Sequence, residues 1–320
     1  MGNKIDMNLL IVGGSGFIGK SFIDGFNRGI LKKNNLNKIY ILSRKPWILK
    51  KCKGLDLRNI KLIKGDISNI KRLPNCNIII YAAQTTNIAN YKIKKKLFNL
   101  SKKSINNFCS LVKNRKKVKI LYLSSGSVYG RQHANVNKVS EKSICNINYK
   151  ASDYKYIYSK IKLYAENKIA GLCKFGLNTS IARCFALIGP WLPQNTHFAL
   201  GNFILDGFKK RNINIKSKYK IVRSYMYSDD LICWLLKIAV SANRTCPIYN
   251  VGSDQAISLE KLAKIVGRVF NQPVKHKKIN NNKIDRYIPS IDKAKKVLNL
   301  KIKFDLKRSI LLMKKYGYET

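Results

Sequence analysis

Three groups of residues have types and spacings that could do chemistry. The run Gly13-Gly14-Ser15-Gly16-Phe17-Ile18-Gly19 sets glycines three apart. Such a loop suits a dinucleotide phosphate: Gly13 permits a tight turn, Gly16 lets main chain approach the pyrophosphate, and Gly19 lets a helix pack closely on a strand. Ser15, Phe17 and Ile18 fall in the same loop, where a helix N-terminus would offer free N–H groups. The second group is a tyrosine four residues before a lysine, and it occurs twice, as Tyr156 with Lys160 and Tyr158 with Lys162. Residues four apart face the same side of a helix, and an ammonium beside a phenol of ordinary pKa about 10 favours its ionised form, which is a base. The third is Ser125, whose hydroxyl closes an apolar run and could hold the oxygen of a reacting carbon. Together these groups suit hydride transfer, with a tyrosine moving the proton and a dinucleotide carrying the hydride.

That chemistry needs a strand before the glycines and a helix after them, and the sequence supplies both. An apolar run at 8–12 leads into Gly13, and 17–26 has helical spacing. Further apolar runs at 38–42, 60–63, 78–81 and 118–123 alternate with polar or amphipathic stretches, notably 91–113. Repeated β-α units predict an α/β protein with a Rossmann, doubly wound parallel sheet. After Gly189-Pro190 the pattern becomes irregular, so a smaller C-terminal α/β substrate-binding domain is expected. The division reads as 1–185 for the dinucleotide domain, with 226–245 returning to it, and 186–225 with 246–320 for the smaller one. The basic, Asn-rich stretch 276–283 reads as a loop or insertion.

Where the second strand ends, a cofactor with a free ribose 2′-hydroxyl usually meets an acid. This chain has Ser43 and Arg44 there, which suit a 2′-phosphate and point to NADP rather than NAD.

The glycine run, the Ser124-Ser125-Gly126-Ser127-Val128-Tyr129-Gly130 segment and the Tyr/Lys helix together resemble the extended short-chain dehydrogenase/reductase family, the nucleotide-sugar epimerases, dehydratases and reductases. The likeness spans nearly the whole chain, through Gly65-Asp66-Ile67, Tyr81-Ala82-Ala83, Asn99, Arg183-Cys184-Phe185, Gly189-Pro190, Arg223-Ser224-Tyr225, Asp229-Asp230-Leu231 and Tyr249-Asn250-Val251-Gly252. It implies cofactor contacts at Asp66, Ile67, Ala82, Ala83 and Asn99, and a nucleotide diphosphate held by Asn202 and Arg223. Both Tyr/Lys frames stay open: Tyr156 gains the Ser159-Lys160 dipeptide common in the family, while Tyr158 with Lys162 places Glu166 as many relatives do and is the frame favoured here. The dehydratases' acidic pair is replaced by Gly126-Ser127, which points to an epimerase or a 4-keto reductase acting on a nucleotide-diphosphate sugar. A homodimer is a further implication of the resemblance. His197 could line the same pocket, though a lone histidine is more often structural.

Composition constrains the rest. The 320 residues carry 63 basic and 16 acidic side chains, a net charge of +47, with lysines spread along the whole length rather than gathered in one patch. Such a field attracts polyanions, so a basic nucleic-acid-binding protein on a Rossmann scaffold is one alternative reading, and a reductase of non-sugar carbonyls is another. The intact Ser, Tyr and Lys set weighs against the first. No stretch approaches the roughly 20 apolar residues of a membrane span. The eight cysteines are scattered and the three histidines distant, so no metal site is expected, and the polar start suggests a cytoplasmic protein.

Overall fold

The computed structural model describes residues 7–32, 35–84, 94–133, 135–150, 153–193, 198–276 and 284–316, the side chains of Lys94 and Lys95 excepted. In chain order the first elements are β1 (Met7–Val12), α1 (Phe17–Asn27), β2 (Leu36–Ser43), β3 (Ile60–Lys64), β4 (Ile78–Tyr81), α2 (Lys94–Val112), β5 (Lys119–Ser125), α3 (Tyr154–Gly171) and β6 (Asn178–Cys184). Then come β7 (Leu187–Ile188), α4 (Ala199–Phe208), β8 (Ile213–Ile215), β9 (Lys220–Arg223), β10 (Met226–Tyr227), α5 (Ser228–Val240) and β11 (Ile248–Val251). The remainder is β12 (Ile257–Ser258), α6 (Leu259–Phe270), β13 (Val274–His276), β14 (Ile284–Tyr287), α7 (Asp292–Leu298) and α8 (Leu306–Tyr316).

Seven strands form one parallel sheet in the order β3-β2-β1-β4-β5-β6-β11. Successive strand residues point to opposite faces, and both faces are covered, which is why the strands read as continuous apolar runs. Leu9, Ile11, Ile78, Ile80 and Leu121 meet Phe22 of α1 and Leu235 of α5 on one side. Leu10, Val12, Ile79, Tyr81 and Tyr122 meet Phe108 of α2 and Ile169 of α3 on the other. The chain winds outward from β1 to β3 and then returns to β4, so the strand order reverses between β1 and β4. In doubly wound sheets, ligands bind beyond the carboxyl ends of the strands at such a reversal.

A separate core joins Phe203 and Ile204 of α4, Ile213 of β8, Leu262 and Val266 of α6, and Met313 of α8. The expected division is corrected at one place: 246–320 does not lie wholly with this second core. β11 pairs with β6 from Ile248↔Ile181 to Val251↔Cys184, and Ala294 of α7 packs with Tyr249 and Val251 on the sheet. Tyr249 and Val251 are buried there, so sheet edge and strand lose apolar exposure together. The expected loop at 276–283 lies outside the described residues after His276, which itself ends β13.

Candidate active site

The glycine loop sits at the strand-order reversal. Gly13 follows β1 with φ +84°, and a Cβ there would come within 2.5 Å of Ala83 Cα beyond β4. Its N–H donates to Leu42 O at 2.8 Å, and Ala82 N–H donates to Val12 O at 2.8 Å, which locks the three strand ends together. A Cβ on Gly19 would lie 1.8 Å from Gly14 O, so helix and loop touch. Gly16 is the N-cap of α1, with no side-chain cap, no acid in the first turn, and no atom within 4 Å of where a Cβ would stand. Uncapped amides facing open space fit a pyrophosphate, so these residues fit a dinucleotide cofactor. Phe17 and Ile18 are partly buried against the sheet core.

Beside the loop, the Ser15 and Ser43 hydroxyls are hydrogen-bonded at 2.7 Å, joining it to the end of β2. Arg44 is exposed and makes no hydrogen bond or ion pair with a described residue. Asp66 closes the turn after β3 by accepting from Ser68 N–H at 2.9 Å, and Asn107 of α2 donates to Ile67 O at 2.9 Å. Ile67 is buried and Ala82 and Ala83 are partly so. Asn99 is exposed on α2 without a bond to the loop among the described residues.

Ser124 and Ser125 end β5, and α3 crosses behind them. Asp153 caps α3 by accepting from Lys155 N–H at 2.9 Å, so the helix starts before both tyrosine–lysine pairs and gives them opposite directions. The Ser125 hydroxyl lies 3.2 Å from Tyr287 Oη and near enough to the Tyr158 phenol to hold its pKa down against burial. Burial pushes the Tyr158 phenol up to about 12, opposed by the Ser125 hydroxyl. Lys162 is 4% exposed, donates to Leu123 O at 2.6 Å, and stands 5.7 Å from the Tyr158 ring centroid. Burial lowers its ammonium to about 8, against the opposing pull of Cys184 and Glu166. Among the described residues, Tyr156 and Lys160 bond by side chain only to each other, Lys160 Nζ donating to Tyr156 Oη at 3.2 Å on a face where Lys160 is exposed.

One turn beyond Lys162, Glu166 accepts from Ser124 Oγ and takes Arg183 of β6 in a two-pronged pair at 3.0 and 2.7 Å. With Ser159 Oγ donating to Ser127 O at 2.9 Å, this fastens the inner face of α3 to β5 and β6. Arg183 also stacks 4.7 Å from the Tyr129 ring.

The expected substrate residues lie on the second core's side. Asn202 is partly buried on α4. Arg223, on β9, donates to Asp285 Oδ2 at 2.9 Å and Asp285 O at 2.7 Å, and stands 6.0 Å from the Tyr287 ring. His197 lies outside the described residues.

Sequence reading missed Tyr287. It comes from β14, stacks on Phe185 with centroids 4.6 Å apart, and touches Ser125, which lies 162 residues earlier. Burial raises its phenol well above the ordinary range, opposed by the Ser125 bond. Nothing in the local pattern marks it, because β14 is four residues long and its proximity to Ser125 is a product of the fold.

Residues 9–252 match the profile described as the NAD dependent epimerase/dehydratase family. Among curated proteins, UDP-glucuronic acid decarboxylase 3 of Arabidopsis thaliana is 26% identical over 325 residues, covering 96% of this chain and 88% of the relative. Among solved structures, UDP-glucose 4-epimerase of Thermotoga maritima, with UDP-glucose, superimposes with a TM-score of 0.78 at 20% identity over 97% of this chain and 98% of the other. UDP-glucuronic acid 4-epimerase of Bacillus cereus, in complex with UDP-glucuronic acid and NAD, gives 0.78 at 18% identity over 97% and 98%. At such identities the structural matches speak for the fold.

Proposed function

The chain belongs to the NAD dependent epimerase/dehydratase family, and on that premise we propose that it is an enzyme of nucleotide-linked sugars that either oxidises a hydroxyl carbon and returns the hydride to it, as an epimerase, or adds a hydride from reduced cofactor to a ketone, as a 4-keto reductase. The carrying observation is the Ser125 hydroxyl beside the Tyr158 phenol, with Lys162 one turn along the same face and 5.7 Å from the Tyr158 ring centroid.

In this reading Ser125 holds the sugar oxygen and Tyr158 takes its proton as the carbon–oxygen double bond forms. A bound oxidised dinucleotide would supply the hydride acceptor, and its nicotinamide cation, present until the hydride is transferred, would help favour the phenolate. A phenol held near 12 is almost entirely protonated near neutral pH and cannot take a proton in that form, so Lys162 has to stay charged to favour the phenolate. Its bond to Leu123 O fixes the ammonium beneath the tyrosine. Asn202 and Arg223 would face the diphosphate, with Arg223 sharing its charge with Asp285. The finer choice of NADP over NAD rests on the unengaged Arg44 alone, since Ser43 already bonds Ser15; the family's description and the Bacillus cereus complex name NAD.

The Arabidopsis relative favours a second outcome, decarboxylation. Oxidising C4 of a hexuronate makes a β-keto acid, which loses carbon dioxide readily, so the same first step would serve.

The test is incubation with UDP-glucose, UDP-galactose and UDP-glucuronic acid in the presence of NAD or NADP, with products resolved by mass spectrometry. Interconverted hexoses identify an epimerase, and a pentose nucleotide with carbon dioxide identifies a decarboxylase. A 4-keto sugar reduced at the expense of NADPH identifies a reductase. Absence of binding by either dinucleotide would overturn the enzyme reading.

A further inference from the structure

The short 3-10 turn Pro46–Lys51, just past the end of β2, faces two ways. Side chains three apart eclipse in a 3-10 helix, and Pro46 and Leu49 accordingly share the buried side, Leu49 within the sheet core. Those two residues anchor the turn. Trp47 and Ile48 point outward, 43% and 40% exposed, and are the one pair of chain neighbours among the exposed large apolar side chains of the described residues. Packing therefore does not account for their being apolar.

The charge around them is one-sided. Lys45, Lys50, Lys51, Lys53 and Lys64 are all exposed, and Lys64 Nζ lies 5.6 Å from the Trp47 ring centroid. Between positions 44 and 64 the sole carboxylate is Asp56, and it is taken by Arg58 at 2.6 Å. An exposed tryptophan and a branched aliphatic side chain within a ring of cations have the composition of an interfacial anchor: the indole and the isoleucine enter the headgroup boundary while the lysines meet anionic lipid. We infer that this turn docks the protein peripherally on an anionic lipid bilayer. Nucleic acid fits less well, because Ile48 has no π face for a base to stack on and one face of Trp47 already carries the Lys64 ammonium. A second copy of the chain fits less well still, since it would bring two cationic rims together.

The test is co-sedimentation of the full chain with phosphatidylcholine vesicles, with and without a third of phosphatidylglycerol, at physiological salt. Binding to the anionic vesicles and not to the neutral ones is expected. The double substitution Trp47→Ala/Ile48→Ala should weaken it on the order of tenfold or more, since about that much follows from losing one buried aliphatic side chain. Lys50→Glu/Lys51→Glu should weaken it as well, and both variants should keep the wild-type melting temperature and turnover. The inference is overturned if wild-type protein ignores anionic vesicles, binds neutral ones equally, or binds RNA alone. It is also overturned if the apolar double variant binds as wild type does, because charge alone would then suffice.

Discussion

Helix α3 carries the same four-residue tyrosine–lysine spacing twice, and the two copies have different surroundings. Tyr158 and Lys162 face the end of β5, where one meets the Ser125 hydroxyl and the other the Leu123 carbonyl. Tyr156 and Lys160 lie two residues away, about 200° around the helix, and bond to each other beside solvent. Spacing alone therefore cannot distinguish the proposed proton-transfer pair from the surface pair. What distinguishes them is the element each face packs against, and the loss of water that shifts the buried groups: burial takes Tyr158 to about 12 and Lys162 to about 8.

The largest effect that could break the comparison is on turnover. Tyr158→Phe removes the proposed base and keeps the ring, so kcat should fall roughly 10³-fold, within the range for losing a general base. Steady-state rates on whichever nucleotide sugar turns over, with cofactor affinity measured separately, check it. A loss smaller than about tenfold would move the proton transfer elsewhere.

Next comes the anchorage of that helix face. Glu166 and Arg183 are 3% and 5% exposed and bonded twice, so Glu166→Ala leaves a buried guanidinium without its partner. Such a change typically destabilises by about 3–5 kcal/mol, and denaturant unfolding should show it. Removing Asp56 from its solvent-exposed pair with Arg58 should leave the unfolding midpoint close to that of wild type. Equal losses would mean that the inner face of α3 is not held by this pair.

How much of this was legible follows from how each signal arises. Strands β1 and β4 to β6 show in the sequence because both their faces are buried, which forces apolar runs, and the glycine loop shows because Gly13 and Gly19 admit no side chain. The family resemblance drawn from those motifs agrees with the profile match. The frame on α3 stays open in the sequence, since both pairs satisfy one spacing and the contacts that separate their surroundings come from β5. The place of β11 was misread because four residues, Ile-Tyr-Asn-Val, cannot say which strand they will lie beside. Tyr287 was invisible for a related reason: its meeting with Ser125 is set by β14 lying along β9, and no local pattern records that pairing.

The pH dependence of stability sharpens the same contrast. The folded Lys162 has its pKa near 8, below the ordinary lysine value of 10.5. Between those values the unfolded chain holds more protons than the folded one, so this group makes stability rise with pH from about 8 to 10.5, and below 8 its burial penalty is fully present. The Lys162→Met variant lacks this term. Wild type should therefore gain stability relative to the variant as pH rises through that window, by an amount on the order of 3 kcal/mol. Comparing the two proteins at each pH cancels the general relief of repulsion as the other lysines lose charge. A constant difference across the window would mean that Lys162 titrates as an exposed lysine does.

The smallest expected effect concerns the outer pair. Tyr156→Phe removes one hydroxyl that accepts a single 3.2 Å bond from an exposed ammonium. Water replaces that bond readily, and side-chain pairs four apart on a helix contribute only about 0.2–0.5 kcal/mol. The variant should therefore melt with wild type and turn over within about twofold of it, and the double variant with Lys160→Met should behave alike. A large loss of kcat with an unchanged melting temperature would reverse the assignment of the two faces. It would mean that α3 turns its other side to the substrate in the working enzyme, and Tyr158 would then be left as a packed phenol.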